Sequence, residues 1–512
     1  MRNKLLLICA LFCMQAMQLH AEDYDIYPGD TLKVYSLNED GINLRYWLRR
    51  RTKDAVLIEV PKDYRGCVRI PEKVEYGDAT YPVTKIGGEY DVWRHTSYVF
   101  HESEAESVEL PSSLKIIGQS SIWHTKRLKR LVIPNSVTEI EKNGIYHNDS
   151  LESVVISNSI EVLSYRALGD NLQLSSVTFA DGSILKEIIG HAFYNCQSLN
   201  EICLPDKVEK IGMYAFENCT SLSSLKLPES LVTIQYQAFL NTGLTSLFIP
   251  RNVTDMPEPI CVNCPMLETL EVSKDNPVFD SRNNCNAIID TYQNKLFNGI
   301  NKTVIPDDVT SIGNRAYEKI DVEEIYIPEN ITEIGDYAFA SSKIRRIALP
   351  ASIRKLGKYS FYDCDELESI TIPDGVEEIP KGAISACDNL KTIVLGPSVN
   401  AIAQDALASK SLENLYLTPV EPPSVDNYYN PFGKYDSSFK GKLKVFVPIE
   451  GYTRYKSHSY WGKFVSLDDP TSINDITSGT DDNKVYDVYG IECNGQPQHG
   501  LYIKNGRKIL MK

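Results

Sequence analysis

Nine prolines recur along this chain in one phrase: an aliphatic residue, the proline, two intervening residues, then Val, Ile or Leu. They are Pro111, Pro134, Pro205, Pro228, Pro250, Pro306, Pro328, Pro350 and Pro373, and adjacent ones are 22 or 23 residues apart. A fixed period of this length means one small unit stacked on copies of itself, because a single unit cannot bury its apolar face alone. Two gaps interrupt the series, Pro134 to Pro205 and Pro250 to Pro306. The first holds degenerate units at Ser157-Asn-Ser-Ile160 and Phe179-Ala-Asp-Gly-Ser-Ile184, and a further unit follows Leu395, with Gly396 in the proline's place. The 512 residues therefore need not divide into several ordinary domains.

Each stretch of the unit has a physical task. Leu222-Ser-Ser-Leu225-Lys-Leu227 alternates apolar with polar residues, the period of a strand with one buried face. Proline ends that strand, since it cannot donate to a ladder. Val208-Glu-Lys-Ile211-Gly212 supplies two more inward residues and a glycine read as a tight bend. A small residue beside a large one follows: Ala192-Phe193, Ala215-Phe216, Ala238-Phe239, Ala316-Tyr317, Ala338-Phe339 and Ser360-Phe361, weakening to Ala383-Ile384 and Ala406-Leu407. Stacked units predict a core column of Phe193, Phe216, Phe239, Tyr317, Phe339 and Phe361.

The unit Leu222-x-x-Leu225-x-Leu227-Pro228-x-x-Leu231-x-x-Ile234-x-x-x-Ala238-Phe239, with its Asn-Cys-x-x-Leu neighbour, resembles the BspA-type leucine-rich repeat of bacterial surface proteins. The resemblance covers roughly residues 104 to 418. It implies a secreted or surface-displayed protein working in adhesion or protein–protein recognition, and it fixes no ligand. The expected fold class is α/β leaning to mainly β: a right-handed leucine-rich repeat solenoid of about fourteen coils of 22–23 residues with β caps at both ends.

Other segments complete the organisation. Arg2 and Lys4 before the apolar run Leu5 to Met17, then Ala21, describe a secretory signal peptide over residues 1–21. Removing it takes the formal charge from −15 to −17, which argues against a nucleic-acid partner, and no later apolar run is long enough for a membrane span. Residues 22–103 read as an N-terminal β cap, 419–467 as a C-terminal cap and 468–484 as a polar linker. Residues 485–512 read as a β-hairpin around Asn505-Gly506 that resembles the sorting-type tail of exported Bacteroidetes proteins. An island at about 274–302 predicts a hairpin turning at Asp290 to Asn294, read equally as a contact surface or as a tolerated loop. The predicted location is secreted, or on the outer surface of a Gram-negative bacterium.

Chemistry is sparse. No H-E-x-x-H, G-x-S-x-G or phosphate-loop motif occurs, so no catalytic residue, metal ligand or cofactor is assigned and the protein is expected not to be an enzyme. Cys196, Cys219, Cys264, Cys364 and Cys387 each precede the same short phrase ending in Leu, and they read as small buried thiols at equivalent turns. The candidate ligand-binding face is an outward strand row of Val132, Val155, Phe248, Val304, Tyr326, Val394 and Tyr416. Two readings of that row stand together: an apolar stripe for a protein partner on a host or neighbouring cell, or plain β propensity. A glycan- or envelope-binding accessory is the alternative function, through aromatic stacking.

Overall fold

The computed structural model describes residues 31–87, 98–257, 259–425, 430–439 and 442–465, and the backbone of three strands at Val485–Asp487, Gly500–Lys504 and Arg507–Met511. The signal peptide, the polar linker and the Asn505-Gly506 turn lie outside the described residues. The fold is a mostly β parallel solenoid of about 13 turns, close to the fourteen expected. The chain divides into two compact units, Met1–Ile184 and Leu185–Lys512.

In the first unit, Thr31–Leu37, Asn43–Arg49 and Asp54–Glu59 form an antiparallel meander. Its third strand runs parallel to Ala79–Ile86, which runs parallel to Ile116–Ile117. The cap therefore supplies the first rung of a coil ladder. Asp54 ties the cap together: its carboxylate accepts from Arg49 Nε at 2.9 Å and from the hydroxyls of Thr52 and Thr84.

Each coil of the second unit has three sides. The first is a strand, as in Glu201–Cys203 paired in parallel with Ser224–Lys226. The second is a two-residue strand, as in Lys210–Ile211 paired with Thr233–Ile234. The glycine ending it does not make a bend by adopting positive φ. A Cβ on Gly212 would lie 2.6 Å from the backbone nitrogen of Gly190, so glycine is required because neighbouring coils touch there.

The third side is a corner built from alternating conformations. Tyr214 and Asn218 have φ of 58° and 61°, on either side of Ala215-Phe216-Glu217. The N–H groups of Tyr214, Phe216 and Asn218 donate forward to the carbonyls of Tyr236, Ala238 and Leu240 in the next coil. Those of Ala215 and Glu217 turn back to Gly212 and Tyr214 in their own coil. Every backbone donor here finds an acceptor although the segment is neither helix nor strand. Asn241 Nδ2 reaches Asn218 Oδ1 at 2.7 Å, so the left-handed residues also bond from coil to coil.

The rings meet inside this corner. Phe193 and Phe216 stack with centroids 5.1 Å apart, and Phe216 and Phe239 at 5.8 Å. Beyond the island, Tyr317 stacks on Phe339 at 5.4 Å and Phe339 on Phe361 at 5.3 Å. All six are fully or almost fully buried.

The island is integral to the solenoid. Ala287–Asp290 and Lys295–Gly299 form an antiparallel hairpin turning over residues 291–294, and the second strand continues in parallel into Ser311–Ile312 and Glu333–Ile334. Ala287, Ile289 and Leu296 are buried in the same core as Tyr317 and Phe339. The C-terminal cap adds a strand, Lys444–Phe446, and two short helices, Asp436–Phe439 and Tyr452–Ser457, to the expected β structure. Trp461 Nε1 donates to Pro423 O at 2.8 Å, pinning that cap.

Candidate recognition face

The first-strand side points alternate residues outward, and the parallel registers show which of them share a row. Val132 sits opposite Val155, Phe248 opposite Glu271, and Val394 opposite Tyr416. Val304 lies beyond the island hairpin, outside any strand, and Tyr326 directly follows Glu324–Ile325.

These seven residues do not share one environment. Tyr326 is 74% exposed, Val304 72% and Phe248 50%; Val132 is also exposed and Val155 half-buried. Val394 and Tyr416 depart from the expectation, being only 3% and 9% exposed. The cap strand places Phe446 opposite Tyr416, and their rings stack at 4.4 Å, nearly parallel. Three apolar side chains on adjacent strands thus cover one another, and burial raises the pKa of the Tyr416 phenol. Val394 and Tyr416 belong to a satellite cluster under the cap.

The neighbouring row is polar, with Ser224, Ser246, Thr269, Glu324 and Arg346 exposed. Coil-to-coil ion pairs edge this surface, among them Arg346–Glu324 at 3.5 Å and Arg345–Glu368 at 2.7 Å. Exposed pairs of this kind are screened by water and contribute little to stability.

The repeated cysteines are free and mostly buried. The Sγ of Cys219 donates to Phe193 O at 3.2 Å, and that of Cys387 to Phe361 O at 3.1 Å. Thr242, at the equivalent place one coil on, donates instead to Phe239 O of its own coil at 3.1 Å. The position therefore calls for a small donor that satisfies a corner carbonyl. Burial pushes Cys219 well above the ordinary thiol range and Cys285 up to about 11, which suppresses the reactive thiolate.

One cluster escaped the motif search. His101, His124 and His147 are 23 residues apart, the repeat period itself, and the structure brings their rings to centroid separations of 5.5 and 5.3 Å. A search for histidines at helical spacing could not find them. A search at the coil period would have.

With parallel strand, glycine contact and aromatic corner repeating in order, the comparisons with known proteins agree. The BspA type leucine rich repeat region matches over residues 94–188, 171–290 and 287–413, in six copies. The chain belongs to the BspA-type leucine-rich repeat family. Among solved structures, the pneumococcal vaccine antigen PcpA is similar at a TM-score of 0.51 and 19% identity, over 85% of this chain and 96% of that one. A leucine rich cell surface protein from Faecalibacterium prausnitzii aligns at 0.49 and 21% identity, over 84% and 97% of the two chains. A leucine-rich repeat protein from Bacteroides ovatus aligns at 0.43 and 19%, over 83% and 100%. No curated protein matches the chain. Among the described residues, no helix of this BspA-type protein is long and apolar enough to cross a membrane.

Proposed function

We propose that this protein is a non-enzymatic recognition module displayed at a cell surface, which binds a protein ligand on a host or neighbouring cell through the first-strand side of its coils. One observation carries the reading: Phe248 and Tyr326 stand 50% and 74% exposed among outward polar residues of that side. Large aromatic side chains left in water on a rigid β surface contribute binding energy when a partner covers them, and aromatics dominate such interfaces. Membership of a repeat family with cell-surface proteins among its structural neighbours supports the same reading. The test is solid-phase binding of the purified chain to a panel of matrix and cell-surface proteins, beside a glycan array. Saturable protein binding that weakens in a Phe248→Ser, Tyr326→Ser double variant is the expected result. Saturable binding to glycans alone would overturn the reading in favour of a carbohydrate-binding accessory.

A further inference from the structure

The corner of the repeat holds its residues at positive φ, and in the second unit asparagine commonly fills that place, as at Asn195, Asn218, Asn241 and Asn263. In the first unit histidines take it: His124 and His147 have φ of 55° and 54°, and Glu102 has 59°. Asparagine and histidine both tolerate this conformation better than most residues, so backbone strain alone permits either. Their side chains differ in what they can hold. Where two asparagines on adjacent coils hydrogen-bond, two imidazoles on adjacent coils present nitrogen lone pairs to a shared space.

The surroundings complete a ligand set. Donor atoms of His101, Glu102 and His124 all lie within 4.8 Å of one another, and so do those of His124, His147 and Asp149. His101 Nε2 is 3.9 Å from Glu102 Oε1, and His124 Nε2 is 3.7 Å from Asp149 Oδ2. Ligands of a tetrahedral ion at about 2.0 Å stand about 3.3 Å apart, so these atoms need to close by no more than about 1.5 Å. Small side-chain rotations supply that movement.

The supports of a metal site are also in place. The His101 ring lies flat on Trp123 at 4.3 Å with an interplanar angle of 6°, which fixes its plane. Lys62 Nζ donates to Glu102 Oε2 at 3.0 Å and leaves Oε1 toward the imidazole. Imidazole with carboxylate is the donor set that selects Zn2+ and its neighbours in the transition series over Ca2+ or Mg2+.

We propose that His101, Glu102, His124, His147 and Asp149 form a surface site for one divalent transition-metal ion, with His124 as the ligand common to both triads. Because the two triads share His124, one ion occupies the cluster at a time. Three protein ligands leave a fourth position open, as in sites that exchange water for an outside group.

The experiment is calorimetric titration of the tag-free chain with Zn2+, with Cu2+ quenching of tryptophan fluorescence as a second readout. Wild type should bind one Zn2+ per chain, and Cu2+ should quench a component that disappears in Trp123→Phe. His124→Asn keeps the corner conformation with the residue other coils use there. It should weaken Zn2+ by more than about 100-fold, beyond what loss of an outer partner alone costs. Its melting in EDTA should match wild type, showing that the coil still folds. Absence of Zn2+ binding by wild type, or undiminished binding by His124→Asn, overturns the proposal. Either outcome leaves the protein-recognition reading of the strand face untouched.

Discussion

The side-chain amide of Asn298 lies against the backbone of Cys261, accepting from its N–H at 2.8 Å and donating to its carbonyl at 2.9 Å. The same Oδ1 accepts from Ile260 N at 3.0 Å, and Asn298 is fully buried. In preceding coils the corner N–H groups donate to backbone carbonyls of the next coil; here the island intervenes and one amide takes over. Asn298→Leu should therefore destabilise the chain by about 2–4 kcal/mol, because it strands buried N–H groups whose desolvation is uncompensated. Denaturant melts would measure this, and a change below about 0.5 kcal/mol would show that the amide is dispensable.

Phe216 lies between two rings, so its loss is felt on both sides. Phe216→Ala should cost about 3–5 kcal/mol by opening a cavity in the stack. Phe216→Leu should cost less, since Ile384 and Leu407 occupy equivalent places. Hydrogen exchange should show lost protection first in the coils of Phe193 and Phe239, as expected where neighbours share stability.

Asp54 makes the N-terminal cap acid-sensitive. Burial raises its pKa, but hydrogen bonds from Arg49, Thr52 and Thr84 and the charge of Arg49 outweigh that, and the net shift is downward. A carboxylate with a depressed folded pKa contributes stability above its unfolded pKa and loses it as pH falls through the folded value. Asp54→Asn should thus cost more than about 1.5 kcal/mol at pH 7, with the gap to wild type closing below about pH 4. A gap independent of pH would contradict this assignment.

Thiol reactivity should follow burial. With Cys493, which lies outside the described residues, replaced by serine, a colorimetric thiol reagent should modify exposed Cys203 first and half-buried Cys67 more slowly. Cys196, Cys219, Cys364 and Cys387 should react only in denaturant, and then without reductant. Failure to react there would reveal an oxidised pair.

Phe248→Ser and Tyr326→Ser, being surface changes, should each alter stability by no more than about 0.5 kcal/mol. Paired thermal melts and ligand-binding isotherms would separate lost recognition from lost folding.

Much of the architecture was legible because the anchors are chemical: Pro228 must end a strand, and Leu225 and Ile234 must face inward. The corner was not. Of its two left-handed positions, the first is Tyr214, Gln237 or Arg315, and the second is asparagine at Asn218 and Asn241 but Lys319 or Ser341 in later coils, so stacking rather than local preference imposes the conformation. Gly212 was read as a bend because its true constraint, contact with Gly190, sits one coil away. The burial of Val394 and Tyr416 depends on Phe446, a residue of the closing cap. The partial legibility of the recognition face has the same cause: a row shows which way a residue points, not what later folds over it.

The forward-donating corner has an electrostatic consequence. The N–H groups of Tyr214, Phe216 and Asn218 point one way along the stack, whereas second-side bonds such as Gly212 N to Ile188 O and Gln235 N to Ile211 O run the opposite way. An α-helix adds its dipoles together and accumulates partial charge at its ends. Here the two series oppose each other within every turn. A stack of this kind therefore sets opposed dipoles against each other in every repeat it adds, where a lengthening helix would add them in one direction.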